Sequence, residues 1–296
     1  KQMNKVGFIG VGIMGKSMVR NLMKAGFELH IYARTKSKVE DVIGEGAQFH
    51  ESIKDCVQDC DAVITIVGFP QDVEEVYFDE GNILDSAKEG AYLIDMTTTS
   101  PQIAEKIYAE GTKRGFHVMD APVTGGDTGA KAGTLSILVG GEKEDYEACM
   151  PLFEAMGTNI NYQGKAGCGQ HCKLANQIMI AGTLSGVCEA LTYAKEQGLD
   201  PEVFMKSVAT GAAGSKQLDT FGPKILKDDY APGFFMKHFI KDMKLALIEA
   251  NRKGLSLDVL SMVLANYEEL EQEGYGDLGT QALMKFYDEE HRNMEE

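Results

Sequence analysis

The sequence predicts an α/β N-terminal domain and an all-α C-terminal domain joined by one long interdomain helix, and three observations carry that reading. Short apolar runs alternate with amphipathic stretches from residue 6 to about residue 162, the pattern of a largely parallel sheet with helices on both faces. From residue 170 to about 197 there is no proline, and Leu174, Ile178, Ala181, Leu184, Cys188 and Leu191 recur at helical spacing, which makes a helix longer than the globular average. Beyond Pro201 every strong pattern is helical, including 239–251 and 259–270. A chain of 296 residues has room for two cores, and the expected division is 1–165 and 166–296.

The first element is a strand, Val6-Gly7-Phe8-Ile9, which breaks into Gly10-Val11-Gly12-Ile13-Met14-Gly15. An amphipathic helix over 16–25 follows, with Met18, Val19, Leu22 and Met23 on one face and Gly26 at its end. The apolar run Leu29-His30-Ile31-Tyr32 then closes a βαβ unit. In such a turn Gly10 permits the tight bend, Gly12 lets the backbone approach phosphate, and Gly15 lets the helix pack close to the strand. The helix N-terminus is left aimed at an anion. The ligand that fits is a dinucleotide pyrophosphate, so the first domain reads as Rossmann-like. A glycine-rich turn without ligand is the plainer alternative, weakened by strand, turn and helix standing in order. Later strands are expected at 62–67, 91–95, 116–120 and 135–139.

A dinucleotide site usually ends its second strand on an acid that binds the adenosine ribose. Here the segment reads Ala33-Arg34-Thr35-Lys36-Ser37-Lys38, with no acid before Glu40. A guanidinium, a hydroxyl and two ammonium groups suit a 2′-phosphate, so NADP(H) is expected in preference to NAD(H). Solvated charges opening a surface helix are the competing reading.

With 45 acidic against 29 basic residues, the net charge of −16 argues against nucleic acid or an anionic membrane as partner. The acid concentrated over 268–296 reads as a solvated face or tail. No apolar stretch is expected to reach bilayer-spanning length. Met3 reads as the natural start, the first strand leaves no room for a signal peptide, and the expected location is cytoplasmic. Six cysteines in a chain this long are expected to be free thiols. Cys168, His171 and Cys172 match no common zinc spacing, so no metal is expected. The six histidines include no pair at i, i+3 or i, i+4, and His30 and His117 read as packing or edge residues.

Two segments carry chemistry. In Asp120-Ala121-Pro122-Val123-Thr124-Gly125-Gly126 a hydroxyl beside paired glycines exposes backbone N–H groups in a concavity suited to a carboxylate. In Gly167-Cys168-Gly169-Gln170-His171-Cys172-Lys173-Leu174-Ala175-Asn176-Gln177, Lys173 and Asn176 are three apart and Lys173 and Gln177 four apart, so amine and amides reach one patch of a helix. An amine desolvated there has its pKa lowered toward neutrality and can pass a proton during hydride transfer; a solvated surface lysine is the alternative. Cys172 adjoins Lys173, whose ammonium would favour its thiolate if the thiol were accessible; a small buried helix residue is the favoured alternative. Gly182, Gly186 and Ala190 form a stripe of small residues that permits close helix packing, including against another subunit.

On these residues the chain resembles the β-hydroxyacid dehydrogenase family, which includes 3-hydroxyisobutyrate dehydrogenase, tartronate semialdehyde reductase and the glyoxylate or succinic semialdehyde reductases. The resemblance spans essentially the whole chain and also rests on Asp95-Met96-Thr97-Thr98-Thr99-Ser100-Pro101 and on Lys241-Asp242-Met243 followed by Leu245-Ala246-Leu247. It implies an NADP-linked oxidoreductase that interconverts a short-chain β-hydroxy acid and its semialdehyde. Lys173 would be the acid/base, Thr124, Gly125 and Gly126 the carboxylate cradle, and Asn176, Gln177, Phe235 and Asp242 further substrate contacts. Cofactor contacts would come from Gly10, Gly12, Ile13, Met14 and Gly15, from Ala33, Arg34 and Thr35, from Val67, Gly68, Phe69, Pro70 and Val73, and from Thr98 and Lys241. Members commonly dimerise through the helical domain, which implies a homodimer or homotetramer.

The chain departs from the family at Thr124, where Ser is usual, at Gln177, often Asn, at Gly68-Phe69-Pro70, where Met-Leu-Pro is commoner, and near Gly279, often acidic. These leave the substrate open within the family, glyoxylate and succinic semialdehyde reductases included. The 6-phosphogluconate dehydrogenases need a larger helical domain and a Lys-x-x-His-Asn sequence, and imine reductases usually lack the lysine. A cofactor-binding sensor or scaffold with little turnover is the non-enzymatic alternative, which loss of the lysine would mark.

Overall fold

A computed structural model describes residues 2–288. The chain forms two units, which divide between Lys173 and Leu174. Unit 1 runs through β1 (Lys5–Ile9), α1 (Ile13–Lys24), β2 (Glu28–Tyr32), α2 (Glu40–Gly44), β3 (Gln48–Phe49), α3 (Ile53–Val57), β4 (Ala62–Thr65), α4 (Pro70–Phe78) and α5 (Ile83–Ser86). It continues with β5 (Tyr92–Asp95), α6 (Pro101–Lys113), β6 (His117–Asp120), β7 (Val123–Thr124), α7 (Gly126–Ala132), β8 (Leu135–Gly140), α8 (Lys143–Ala148), α9 (Met150–Met156) and β9 (Gly157–Gly164).

The strands are ordered β3-β2-β1-β4-β5-β6-β8-β7, with β9 beside β8. From β3 to β6 every pairing is parallel, whereas β8 runs antiparallel to β6 and β7. The expected parallel sheet is present, with an antiparallel extension whose strand β7 has two residues, too few to alternate; the parallel edge strand β3, also of two residues, left no periodicity for the same reason. The pleat sends side chains to opposite faces. Val6, Phe8, Ile64, Ile94 and Met119 enter one core, and Ile9, Val63, Leu93 and Val118 enter the other. The chain order reverses at β1, which lies between β2 and β4, and in such sheets ligands bind beyond the strand ends at this switch point.

α10 (Cys168–Glu196) spans 29 residues, starting in unit 1 and continuing through unit 2. By length and composition it is apolar enough to cross a bilayer, which corrects the expectation that no stretch would be. Its apolar side is occupied within unit 2, where Leu174, Ala181, Leu184, Cys188 and Leu191 enter the core. Unit 2 adds α11 (Pro201–Val208), α12 (Lys216–Leu226), α13 (Met236–Arg252), α14 (Asp258–Gln272) and a 3₁₀ turn over Thr280–Tyr287. Phe239 and Tyr267 meet edge to face at 5.4 Å in its core, and the Tyr267 hydroxyl donates to Thr280 O at 2.7 Å, which gives the buried ring its polar partner. A Cβ on Gly182 would come within 3.6 Å of the Val259 side chain, so part of the small-residue stripe serves packing of α10 on α14.

Candidate functional site

The turn after β1 has the geometry its glycines require. Gly10 has φ +95°, and a Cβ there would lie 1.9 Å from Ile66 O. A Cβ on Gly15 would lie 2.4 Å from Gly10 O, which explains the close seating of α1 on the turn. A Cβ on Gly12 would meet no atom within 4 Å among the described residues beyond its own chain neighbours. Internal packing therefore makes no demand for glycine there, whereas approach of a phosphate does. The N-cap of α1 is Gly12, with no side-chain cap and no acid in the first turn. Ile13 is exposed and Met14 half-buried. These features fit a dinucleotide pyrophosphate.

At the end of β2, Ala33 is half-buried and Arg34 and Thr35 are exposed. The Arg34 guanidinium lies 3.5 Å from Asp72 Oδ1 and 3.8 Å from Glu75 Oε2, both on α4. The picture of a ribose site without nearby acid is corrected: the fold supplies carboxylates that the local sequence does not. Asp72 also accepts from Phe69 N at 2.8 Å, which fixes the Gly68-Phe69-Pro70 loop at the start of α4. Val73, the next residue of that helix, is fully buried. Val67 N donates to Thr97 Oγ1 at 2.9 Å, joining the loop after β4 to the loop after β5.

Beneath these loops lies a buried polar network. Thr65 Oγ1 and Thr97 N donate to Asp95 Oδ1 at 2.9 and 3.2 Å, and the Tyr77 hydroxyl lies 2.8 Å from Thr65 Oγ1. Burial pushes the Asp95 carboxyl up to about 6, against the hydrogen bonds from Thr97 and Thr65. Asp120, at the end of β6, accepts from Gly167 N and Gln170 N at 2.9 Å each and caps the start of α10 from outside the helix. Burial raises its pKa too, while those backbone N–H groups oppose the rise. A Cβ on Gly169 would lie 2.4 Å from Leu138 O and 2.7 Å from Asp120 O. The GxGxxxK turn therefore lets the first turn of α10 sit against the ends of β6 and β8, and Lys173 follows, 9% exposed.

Thr124 is half-buried, and Gly125 and Gly126 after it are exposed. Gly125 has φ +126°, outside the range an L side chain readily adopts. In unit 2, Asn176 Nδ2 donates to Gln177 Oε1 at 2.8 Å, and Gln177 Nε2 donates to Asp242 Oδ2 at 2.9 Å. Asp242, 1% exposed, is also ion-paired to Lys241 at 3.1 Å. Gln177 and Asp242, expected separately as substrate contacts, are thus bonded to each other. Phe235 precedes α13 and pairs with Gly279 in an isolated bridge.

Three features differ from expectation or escaped it. Cys172 carries a raised pKa because burial outweighs the Lys173 charge, which favours the buried-residue reading over a reactive thiolate. His30 Nδ1 lies 2.8 Å from His50 Nε2 across β2 and the end of β3, a pairing invisible to helical spacing. Gln170, fully buried, bonds the threonine loop after β5. Its i, i+3 relation to Lys173 was the only local signal.

Residues 5–164 match the family described as the NAD binding domain of 6-phosphogluconate dehydrogenase, and residues 167–287 match the NAD-binding family of NADP-dependent 3-hydroxyisobutyrate dehydrogenase. A 3-hydroxyisobutyrate dehydrogenase-like protein of Arabidopsis thaliana is 44% identical over 281 residues, covering 95% of this chain and 84% of its own. The 2-hydroxy-3-oxopropionate reductase of Escherichia coli (strain K12) is 37% identical over 253 residues, with 86% of each chain covered. Among solved structures, Mycobacterium tuberculosis 3-hydroxyisobutyrate dehydrogenase with L-serine superposes at a TM-score of 0.89 and 26% identity, covering 97% of this chain and 100% of that one.

Proposed function

Because the chain belongs to the β-hydroxyacid dehydrogenase family, we propose that it interconverts a short β-hydroxy acid of the 3-hydroxyisobutyrate type and its semialdehyde, with NADP(H) preferred and Lys173 as acid/base. The coarser activity, NAD(P)-dependent oxidation and reduction at a CH–OH group of a small hydroxy acid, is that of the family. One observation carries the finer reading: Lys173 is buried and follows a helix start that Asp120 and Gln170 hold by four hydrogen bonds of 2.7–2.9 Å.

The substrate class follows from chemistry shared by three compounds named with the relatives. 3-Hydroxyisobutyrate, L-serine and 2-hydroxy-3-oxopropionate each carry a carboxylate and an oxygen on carbon 3, and differ at carbon 2. The amides of Gly125 and Gly126 and the Thr124 hydroxyl hold the carboxylate. Lys173 gives a proton to the carbonyl oxygen during reduction and takes it from the hydroxyl during oxidation. A nicotinamide cofactor held by the turn after β1 would supply or accept the hydride at carbon 3. Asn176, Gln177, Phe235 and Asp242 are assigned to the substrate and Lys241 and Thr98 to the cofactor on the family resemblance.

Cofactor preference rests on a comparison of magnitudes. Exposed ion pairs such as those of Arg34 with Asp72 and Glu75 are worth about 0–1 kcal/mol. A 2′-phosphate meets the same exposed guanidinium with nearly two negative charges and three acceptor oxygens, against one charge on each carboxylate, which favours the phosphate as its partner. Assembly as a homodimer through the helical unit is supported by exposed Met179, Ile248, Val259 and Met262 and is read by light scattering. The experiment for the activity follows nicotinamide absorbance with each cofactor against two- to four-carbon hydroxy acids and aldehyde acids. Turnover of none of them would overturn the reading.

A further inference from the structure

Gln170 occupies an unusual place. Its side chain is fully buried, its Oε1 accepts from Thr99 N at 2.9 Å, and its Nε2 donates to Thr97 O at 2.7 Å. Its backbone N–H donates to Asp120 Oδ2 at 2.9 Å. One residue therefore binds the threonine loop after β5 with its side chain and the end of β6 with its backbone. Three residues on, one helical turn along the same face, stands Lys173.

The threonine loop has attachments of its own. Thr97 is held at Asp95 through its backbone N–H and receives Val67 N on its hydroxyl. The loops after β4, β5 and β6 and the first turn of α10 thus form one hydrogen-bonded frame, with Gln170 as the member that joins the threonine loop to the lysine turn. Asn at this position would be one methylene short of the two bonds, and a hydrophobic side chain could make neither. The fold alone needs the helix start to be capped, which Asp120 already does through Gly167 N.

We propose that Gln170 is a positioning residue for the reaction: it sets the register between Lys173 and the Thr97-Thr98-Thr99 loop, so that the amine and the nicotinamide side of the site keep one geometry. This rests on the assignment of Lys173 as acid/base. Gln170 touches neither substrate nor cofactor; it acts through the two segments that it joins. A displacement of about 1 Å at such a site costs on the order of 10²-fold in rate.

The test is a double-mutant cycle at positions 170 and 173, with single-turnover rates, substrate KM and cofactor Kd measured for each variant. Gln170→Ala is expected to lower kcat about 10²-fold while cofactor Kd and substrate KM change less than about threefold. In the Lys173→Ala background the same substitution is expected to cost less than about threefold, because there is no amine left to misplace. A Gln170→Ala enzyme with more than half of wild-type kcat, or a loss that persists in full on top of Lys173→Ala, would overturn the proposal. Wild-type turnover in Lys173→Ala alone would instead remove the acid/base assignment, and is read from a different variant.

Gln170→Glu gives a second route if Gln170→Ala fails to fold. As a carboxylate it accepts from Thr99 N but repels Thr97 O; protonated, it restores both bonds. Its kcat relative to wild type at the same pH should therefore rise about tenfold as pH falls through the titration of the introduced carboxyl. A flat ratio would count against the proposal as directly as an active Gln170→Ala.

Discussion

Asp95 and Asp120 are register partners on the adjacent parallel strands β5 and β6, so two carboxyl groups, each 3% exposed, stand side by side at the carboxyl ends of their strands. Asp120 is surrounded by backbone N–H donors, whereas Asp95 Oδ2 has no hydrogen-bond partner among the described residues. Burial first, with the charge of Asp120 adding to it, raises Asp95 to about 6.

This arrangement predicts an unusual pH dependence of stability. A carboxyl raised from 3.8 to about 6 binds its proton more tightly folded than unfolded, so the contribution of Asp95 to stability is fully present below about pH 4, falls between about pH 4 and 6, and is absent above. The full contribution is roughly 3 kcal/mol, at about 1.4 kcal/mol per unit. Asp95→Asn should abolish that slope, as measured by urea denaturation at a series of pH values. An unchanged slope in the variant would show that Asp95 is ionised in the folded protein at pH 5.

His30 acts with the opposite sign. Burial lowers its pKa from 6.5, with His50 and Lys5 adding to the effect and Glu28 opposing it. The unfolded chain then binds the proton more readily, so stability is lost as pH falls through about 6.5 and is fully present above it. His30→Gln should flatten the stability profile between pH 7 and 5. A variant as acid-sensitive as the wild type would place the effect elsewhere.

The strand end at Arg34 predicts at least a roughly tenfold higher kcat/KM with NADPH than with NADH, narrowing as ionic strength rises. Arg34→Asp should reverse or abolish the ratio. Glu75→Gln removes one carboxylate near the guanidinium and should raise kcat/KM for NADPH by up to about threefold. A wild type that prefers NADH would make Arg34 a surface charge whose partners are Asp72 and Glu75.

The loop at Thr124, Gly125 and Gly126 predicts that a carboxylate is required. An aldehyde acid and an aldehyde of equal length without the carboxylate should differ by about 10²-fold or more in kcat/KM, since the amides are left unpaired by the second. Equal values would remove this loop from substrate binding.

What the sequence disclosed and what it withheld divide by distance along the chain. The Gly10 to Gly15 turn, the strands around it and the lysine helix were legible because their signals are local: a turn, a period, a cap. The Gln170 bonds reach back 71 and 73 residues, and Arg34 meets an acid 38 residues later, so neither left a local trace. The His30 and His50 pair is made by parallel strands, where partners are set by register rather than spacing. For the thiol beside Lys173 adjacency in sequence shows a charge, and the burial that outweighs it shows only in the fold.

The proposed reaction depends on proton transfer by Lys173. Its most direct measurement is single-turnover reduction of the best aldehyde acid by Lys173→Ala and by the wild type, with cofactor affinity determined in parallel. The expected rate for Lys173→Ala is lower by about 10²–10⁴-fold at nearly unchanged cofactor affinity. A variant that turns over at close to the wild-type rate would contradict it.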